Sequence, residues 1–285
     1  MAGERKKRPF RYNRLRMLGL SGAFLLILVN PFLIYYTGID WLQGWYQSLG
    51  IGRLWFVSPL EGLESILVSK QVYLPALIGM AGPILVALLL GRVFCSWVCP
   101  ISFLTELLDR LRRLVGRSKY LRDRLVFARQ LLWYALIGEL FITMVLGAPL
   151  FVFISPPGLV GREIMTAVFF HKAAVEGVVV LLVLALELLT RRMYCRYFCP
   201  LGGLLALIGT RRKMVVVQDE ESCLQCGRCD QACPMGISPA RGEALTAYCW
   251  NCGACIDACV PGALDFHWRS ANPNPVPAGS LPGKS

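Results

Sequence analysis

Charged side chains are scarce in this 285-residue chain. Asp, Glu, Lys and Arg make up 17% of it against 55% hydrophobic residues, and the mean hydropathy is +0.53. That balance excludes an ordinary soluble enzyme, where about a quarter of the residues carry charge. Acidic residues are the scarcer sign, 18 against 30 Lys and Arg, for a net charge of +12. No basic helix sits in a recognisable recognition frame, so the excess reads as membrane topology and contact with anionic lipid. Nucleic acid is excluded as a partner. Histidine is nearly absent: His171 is expected at the outer interface as a weak lone proton acceptor, and His267, after the last cysteine, reads as structural. A cleavage site is also missing after the basic start ERKKRPFRYNRLR. The apolar run that follows is too long for a signal peptide and reads as an uncleaved first span.

What the chain has instead is long apolar runs, at 17–36, 74–91, 131–154 and 173–190. Each approaches or exceeds the length that crosses a hydrocarbon layer of about 30 Å. Lys and Arg alternate between the connecting segments: seven in 1–16, two in 37–73, eight in 101–130, two in 155–172 and six in 191–213. Positive charge stays on the cytoplasmic side, so both termini are expected there. All twelve cysteines then fall in a reducing compartment, which makes them metal ligands and not disulfides.

The densest chemistry lies at 223–261. Two runs read Cys-x2-Cys-x2-Cys-x3-Cys: Cys223, Cys226, Cys229, Cys233, then Cys249, Cys252, Cys255, Cys259. In this spacing three thiolates wrap one cubane and the fourth ligates the other cluster. The assignment is Cys223, Cys226, Cys229 and Cys259 to one [4Fe–4S] cluster, and Cys249, Cys252, Cys255 and Cys233 to the second. Gly227 and Gly253 give the loops the backbone freedom to fold around them. Zinc sites use well-separated Cys-x2-Cys pairs and fit poorly. Pro234 follows its cysteine directly, whereas Pro261 comes one residue late.

The membrane part repeats itself. FVSPLEGLESI begins at Phe56 and FISPPGLVGREI at Phe153; RVFCSWVCP begins at Arg92 and RMYCRYFCP at Arg192. Each half is an outgoing helix, an outer Ser-Pro loop, a returning helix and a cytoplasmic Cys-x3-Cys-Pro. Both halves have the same orientation, so a pseudo-two-fold axis should run along the membrane normal. Cys95/Cys99 and Cys195/Cys199 sit at i, i+4, one face of a helix, and the symmetry can bring the two pairs into one shared site. Four thiolates there would suffice for a further iron–sulfur cluster or a soft metal. Copper handling, a thiol contact with a partner and plain packing are the other readings.

Ionisable groups inside apolar runs are functional candidates by default. Glu139, in the third run, is the candidate quinol or proton residue. Glu176 and Glu187 lie towards opposite ends of the fourth, and Glu187 is expected to pair with Arg191 or Arg192. The stretch 101–130 has leucines at helical spacing opposite basic residues, as a helix in the headgroup layer or a solvated linker helix would. Trp41, Trp45, Tyr46, Trp55 and Phe56 read as interfacial anchors or as the floor of a hydrophobic ligand site.

The expected fold is an all-α four-span membrane domain of two parallel two-helix repeats, with a small α+β dicluster ferredoxin-like domain. The expected boundaries are a basic cytoplasmic segment at 1–16, the membrane domain at 17–213, the cluster domain at 214–270 (led by the β-prone MVVV) and a Pro/Gly/Ser-rich disordered tail at 271–285. Across nearly its whole length, in FCSWVCP, YCRYFCP and both ferredoxin runs in order, the chain resembles the NapH/MauN group of ferredoxin-type quinol dehydrogenase membrane subunits, the NapH type most closely. The resemblance implies a multi-pass protein of the bacterial inner membrane that draws electrons from the quinone pool. It implies delivery to an iron–sulfur partner or a multihaem cytochrome, and onward to a periplasmic reductase of the nitrate reductase kind. It carries Cys223–Cys259 over as cluster ligands and leaves the Cys-x3-Cys-Pro role open. A second reading, from related membrane proteins, is a redox factor that matures nitrous-oxide reductase or a copper oxidase.

Overall fold

The computed structural model describes residues 11–269 apart from 39–41, 45, 47, 53, 116–122, 124 and 173–174. Trp41, Trp45, most of the basic start and the tail at 271–285 lie outside the described residues. Helix α1 (Tyr12–Thr37) ends at Gly38, whose φ of 67° is the left-handed turn that stops a helix. A three-stranded antiparallel sheet follows: β1 (Leu42–Gly44), β2 (Ser48–Ile51) and β3 (Leu54–Val57). Next come α2 (Pro59–Ser69), α3 (Leu74–Leu90), the short α4 (Val93–Trp97) and α5 (Pro100–Val115). The second half runs α6 (Leu131–Leu146), α7 (Leu150–Ile154), α8 (Pro156–Phe170), α9 (Glu176–Leu186), a π-helical turn (Tyr194–Phe198) and α10 (Pro200–Ile208).

The sequence repeat is therefore a structural one. Each Ser-Pro opens a helix, α2 or α8; each Cys-x3-Cys segment is one tight helical turn; each following proline starts a helix, α5 or α10, where its missing N–H costs nothing.

Among the described residues, one helix, α1, is long and apolar enough to cross a membrane; α3, α6 and α9 are shorter apolar helices. Two of the predicted runs are shorter as helices than as hydropathy. The run 131–154 breaks after Leu146, because Gly147 takes φ 64° and Pro149 follows, so α7 is a separate helix. The fourth run is helical only over Glu176–Leu186 and then unwinds into turns. The outer segment between α1 and α3 is not a surface loop: β3 packs on α3, and α2 touches α3, α6 and α10.

The cluster unit is small. Strand β4 (Met214–Gln218) pairs antiparallel with β5 (Leu264–Trp268), Met214 opposite Trp268 and Gln218 opposite Leu264. Between them lie α11 (Arg228–Ala232) and α12 (Ala254–Ala258), which pack on one another. Gly227 and Gly253, at φ 68° and 74°, turn the chain into these helices.

A buried ionic network ties α1 and α5 to the turn that follows α9. Glu106 of α5 meets Arg16 of α1 at 2.6 Å and Arg192 at 2.7 Å, with Arg113 at 3.6 Å. Arg191 and Arg192 also reach Asp109, each at 3.8 Å, and Arg196 meets Asp123 at 2.6 Å. Burial works against the Glu106 charge, but the guanidinium groups of Arg192 and Arg16 outweigh it and hold its carboxyl down at about 2.

Candidate functional site

Two cavities lie in the cluster unit. One, of about 330 Å³ counting its open part, is lined by Cys223, Cys226, Cys229 and Cys259. The other, of about 320 Å³ counted the same way, is lined by Cys233, Cys249, Cys252 and Cys255. Each thus gathers three cysteines of one run and the last cysteine of the other. Among the described residues, no three Cys, His, Asp or Glu side chains close on one another as they do around a single ion. A tetrahedral zinc with Zn–S bonds of about 2.3 Å would demand that closure. Sulfurs spread around a larger space fit a cubane, and their soft donor set suits iron–sulfur ligation. The Cys233 thiol is pushed up to about 12 by burial and by neighbouring Cys252, so ligation there displaces a proton.

The two cavities differ in exposure. Cys233, Cys249, Cys252 and Cys255 are all buried, whereas Cys226 is exposed and Cys223 and Cys259 are half-buried. The second cavity's loops are pressed against both Cys-x3-Cys-Pro segments. From the first segment, Ser96 Oγ donates to the Trp250 carbonyl at 3.0 Å and Trp97 Nε1 to the Asn251 carbonyl at 3.4 Å. From the second, Arg196 donates from Nε and Nη2 to the Pro234 carbonyl, at 3.0 and 2.8 Å. Gly236 has to be glycine here, since its φ is 61° and an added Cβ would stand 2.8 Å from Arg196 Nη1. Asn251 locks the junction by donating to the carbonyls of Leu90 and Met214, both at 2.8 Å.

Cys95, Cys99, Cys195 and Cys199 are all buried, and their electrostatic coupling makes them neighbours. They are not closed around one ion. Burial pushes Cys99 and Cys199 up to about 12, the neighbouring thiols adding to it. Arg92, fully buried, stands beside them: its Nη2 donates to the Cys195 carbonyl at 3.3 Å, while Nε and Nη1 find no hydrogen-bond partner. On its other side Arg92 lies over the Trp250 ring, 5.9 Å from the centroid. Arg92 thus links the segment of the buried thiols to Trp250, the residue that follows Cys249 in the cluster loop.

Glu139 faces Glu64 of α2, carboxyl to carboxyl, and Glu64 is fully buried. Glu187 accepts from the Arg192 backbone N–H, and Glu176 meets Arg162 at 3.3 Å. His171 ends α8 with φ 52°, and His267 sits in β5 opposite Val215. Arg92, Trp250 and Glu64 escaped the sequence reading, and Arg192 is expected from sequence only as a partner of Glu187, not of Glu106. The two arginines carried a signal, since each stands three residues before the first cysteine of its motif. The carboxyl partner of Glu139, 75 positions away, carried none.

A third cavity, of about 1160 Å³ counting its open part, lies between α1, the sheet, α3, α4 and α10. Tyr46 and Phe56 line it, and Trp55 is exposed instead. Glu139 does not line it.

A family model described as a 4Fe-4S binding domain matches twice, over residues 73–118 and 174–216. Each match covers the later part of one half of the repeat, from the second apolar helix through the Cys-x3-Cys-Pro segment, and so contains Cys95/Cys99 or Cys195/Cys199. A 4Fe-4S dicluster domain model matches residues 215–261. Escherichia coli YccM is 29% identical over 231 residues, 79% of this chain and 63% of its own length, so the chain spans less than two thirds of that relative. The ferredoxin-type protein NapH of Haemophilus influenzae is 29% identical over 271 residues, covering 90% of this chain and 89% of NapH. The methylamine utilization ferredoxin-type protein MauN of Methylorubrum extorquens is 32% identical over 239 residues, 82% of this chain and 79% of MauN. No solved structure matches. With its two cysteine-lined cavities, its repeated Cys-x3-Cys-Pro segments and these relatives, the chain belongs to the NapH/MauN family of ferredoxin-type electron-transport proteins.

Proposed function

We propose that the chain is a membrane-integral subunit that carries electrons from quinol through two [4Fe–4S] clusters to an iron–sulfur partner. The periplasmic reductase implied by the family lies further on. Cys223, Cys226, Cys229 and Cys259 hold one cluster, and Cys249, Cys252, Cys255 and Cys233 the other. The graded exposure of the two cavities supports this reading: one is enclosed against the apolar helices, and the other reaches the surface at Cys226 and Leu224, the latter 73% exposed. A relay needs one end against its donor and one end open to its acceptor.

Each bound cluster supplies a one-electron carrier, so two match the two electrons that leave a quinol together with two protons. The chain's own residues set the path. Ser96, Trp97 and Arg196 fix the enclosed loops on the helices, and Arg92 links the segment of the buried thiols to Trp250. Anaerobic addition of a short-chain quinol to the purified holoprotein is expected to bleach its visible sulfur-to-iron absorption. Bleaching by dithionite but not by quinol would reject this reading in favour of metalloenzyme maturation.

In the same reading α1, α3, α6 and α9 mark four crossings of the bacterial inner membrane, with both termini cytoplasmic. Support comes from the alternation of Lys and Arg between segments and from the shared orientation of the two halves. Reporter fusions after Ser285 and at 48–52 should report opposite sides. A periplasmic signal from the C-terminal fusion would overturn the arrangement.

A further inference from the structure

The cavity between α1, the sheet, α3, α4 and α10 has a distinctive chemistry. Among the described residues no charged side chain lines it, and the polar side chains that do are those of Tyr46 and Ser58. Tyr46 donates to the Ala23 carbonyl at 3.3 Å. Ser58 is 8% exposed, and its Oγ has no hydrogen-bond partner. Its counterpart in the repeat, Ser155, accepts from Gly158 N and so caps α8, whereas Ser58 makes no such cap on α2. The same Ser-Pro motif thus spends one hydroxyl on its helix and leaves the other buried and unpaired at a residue that lines an apolar space. Buried polar groups are paired in the great majority of cases, so a free one lining a cavity implies a partner that comes from outside the chain.

The neighbours point to what that partner is. Phe94 and Val98, from the first Cys-x3-Cys segment, form one wall, and the Tyr46 phenol lies within electrostatic reach of Cys99. Leu26 and Val86 line the cavity yet are 41% and 44% exposed, so its mouth opens between α1 and α3 on an apolar surface. An occupant must be uncharged, flat enough for an apolar slot, equipped with an oxygen for Ser58 and able to trail an apolar tail out between the two helices. The apolar walls that the described residues build suit such an occupant better than a nucleotide or other phosphorylated cofactor, which needs cationic or N–H-rich walls.

We infer that this cavity binds the quinol headgroup, with Ser58 Oγ hydrogen-bonded to one ring oxygen and the isoprenoid tail leaving between α1 and α3. The inference rests on the quinol-linked reading above and gives it a place, one wall away from the buried thiols and the enclosed cluster loops.

The test uses the full-length holoprotein in lipid nanodiscs and an azido-substituted ubiquinone analogue, with labelled peptides mapped after illumination. Label is expected on β3, the start of α2 and α3, and decyl-ubiquinone should compete it away. Ser58→Ala removes the hydroxyl without removing a cap. It should weaken binding roughly three- to tenfold, as expected for one hydrogen bond, with iron content unchanged. Gly82→Leu fills the slot from α3: an added Cβ stands an ordinary 3.4 Å from the Phe56 ring, and the rest of the side chain enters the cavity. Labelling should fall more than roughly tenfold for that variant. Should Gly82→Leu lose its iron, Ser58→Ala decides. Label on other segments, or Ser58→Ala binding as the unaltered protein does, overturns the site, and continued bleaching by quinol would then leave the electron-transfer reading intact. Label in the cavity without bleaching upholds the site and removes the electron-transfer reading instead.

Discussion

Cys233→Ala is expected to destroy the cluster held by Cys249, Cys252 and Cys255 while sparing the one held by its own sequence neighbours. Cys233 closes the first run, but it lines the second cavity, and the α11 segment carries it there. The substitution leaves three thiolates around a cubane that needs four, beside a fully buried Trp250 and with no described Asp or His lining the cavity as a substitute. About half of the iron should be lost, four atoms of about eight per chain, and one of two EPR signals should vanish after reduction. The mirror variant, Cys259→Ala, should remove the other signal. Loss of only the Cys223/Cys226/Cys229 cluster in Cys233→Ala would refute the crossed arrangement.

Glu106→Gln should be the most damaging single change outside the cysteines. Glu106 is buried between Arg16 and Arg192, whose side chains are 3% and 0% exposed. Neutralising it takes the closest carboxylate from two buried guanidinium groups and leaves Arg192 only the more distant Asp109, at 3.8 Å. Breaking such a buried set from one side costs roughly 3–5 kcal/mol, far more than a surface pair. The same network sets a pH dependence. Its carboxyl ionises near 2 in the folded chain against an ordinary 4.5, so its stabilising contribution is complete above about 4.5 and lost as pH falls towards about 2. Thermal unfolding followed by circular dichroism, for the unaltered chain and for Glu106→Gln between pH 7 and pH 3, reads both effects. A midpoint for Glu106→Gln within a degree or two of the unaltered protein would show that Arg16 and Arg192 are held by something else.

Much of this architecture is legible in the sequence because it is written locally. Spacing within each four-cysteine run is a matter of one loop and one short helix, so three cysteines at each cavity are neighbours in sequence, while the fourth crosses over from the other run. The repeat is legible because Ser-Pro and Cys-x3-Cys-Pro are short and nearly identical in both halves. What hides is tertiary. Hydropathy averages straight across Gly147 and Pro149, although a left-handed glycine and a proline end α6 there. The segment between α1 and α3 reads as an aromatic outer loop, since three strands of three or four residues leave too few positions to show alternation. Glu139 is conspicuous in sequence, yet its neighbour is Glu64, which only the packing of α2 on α6 reveals. Cavities are gaps between elements, and so Ser58 stands out only when its twin Ser155 is seen capping a helix.

A two-cluster relay charged by quinol is read out by metal analysis combined with EPR. Iron and acid-labile sulfide are counted per purified chain, and the same sample is then titrated anaerobically with quinol. The chain is expected to hold about eight iron and eight sulfide and to show two interacting one-electron signals that grow as quinol is added. Four or fewer iron atoms per chain, or a full complement that quinol leaves EPR-silent while dithionite reduces it, would contradict the relay.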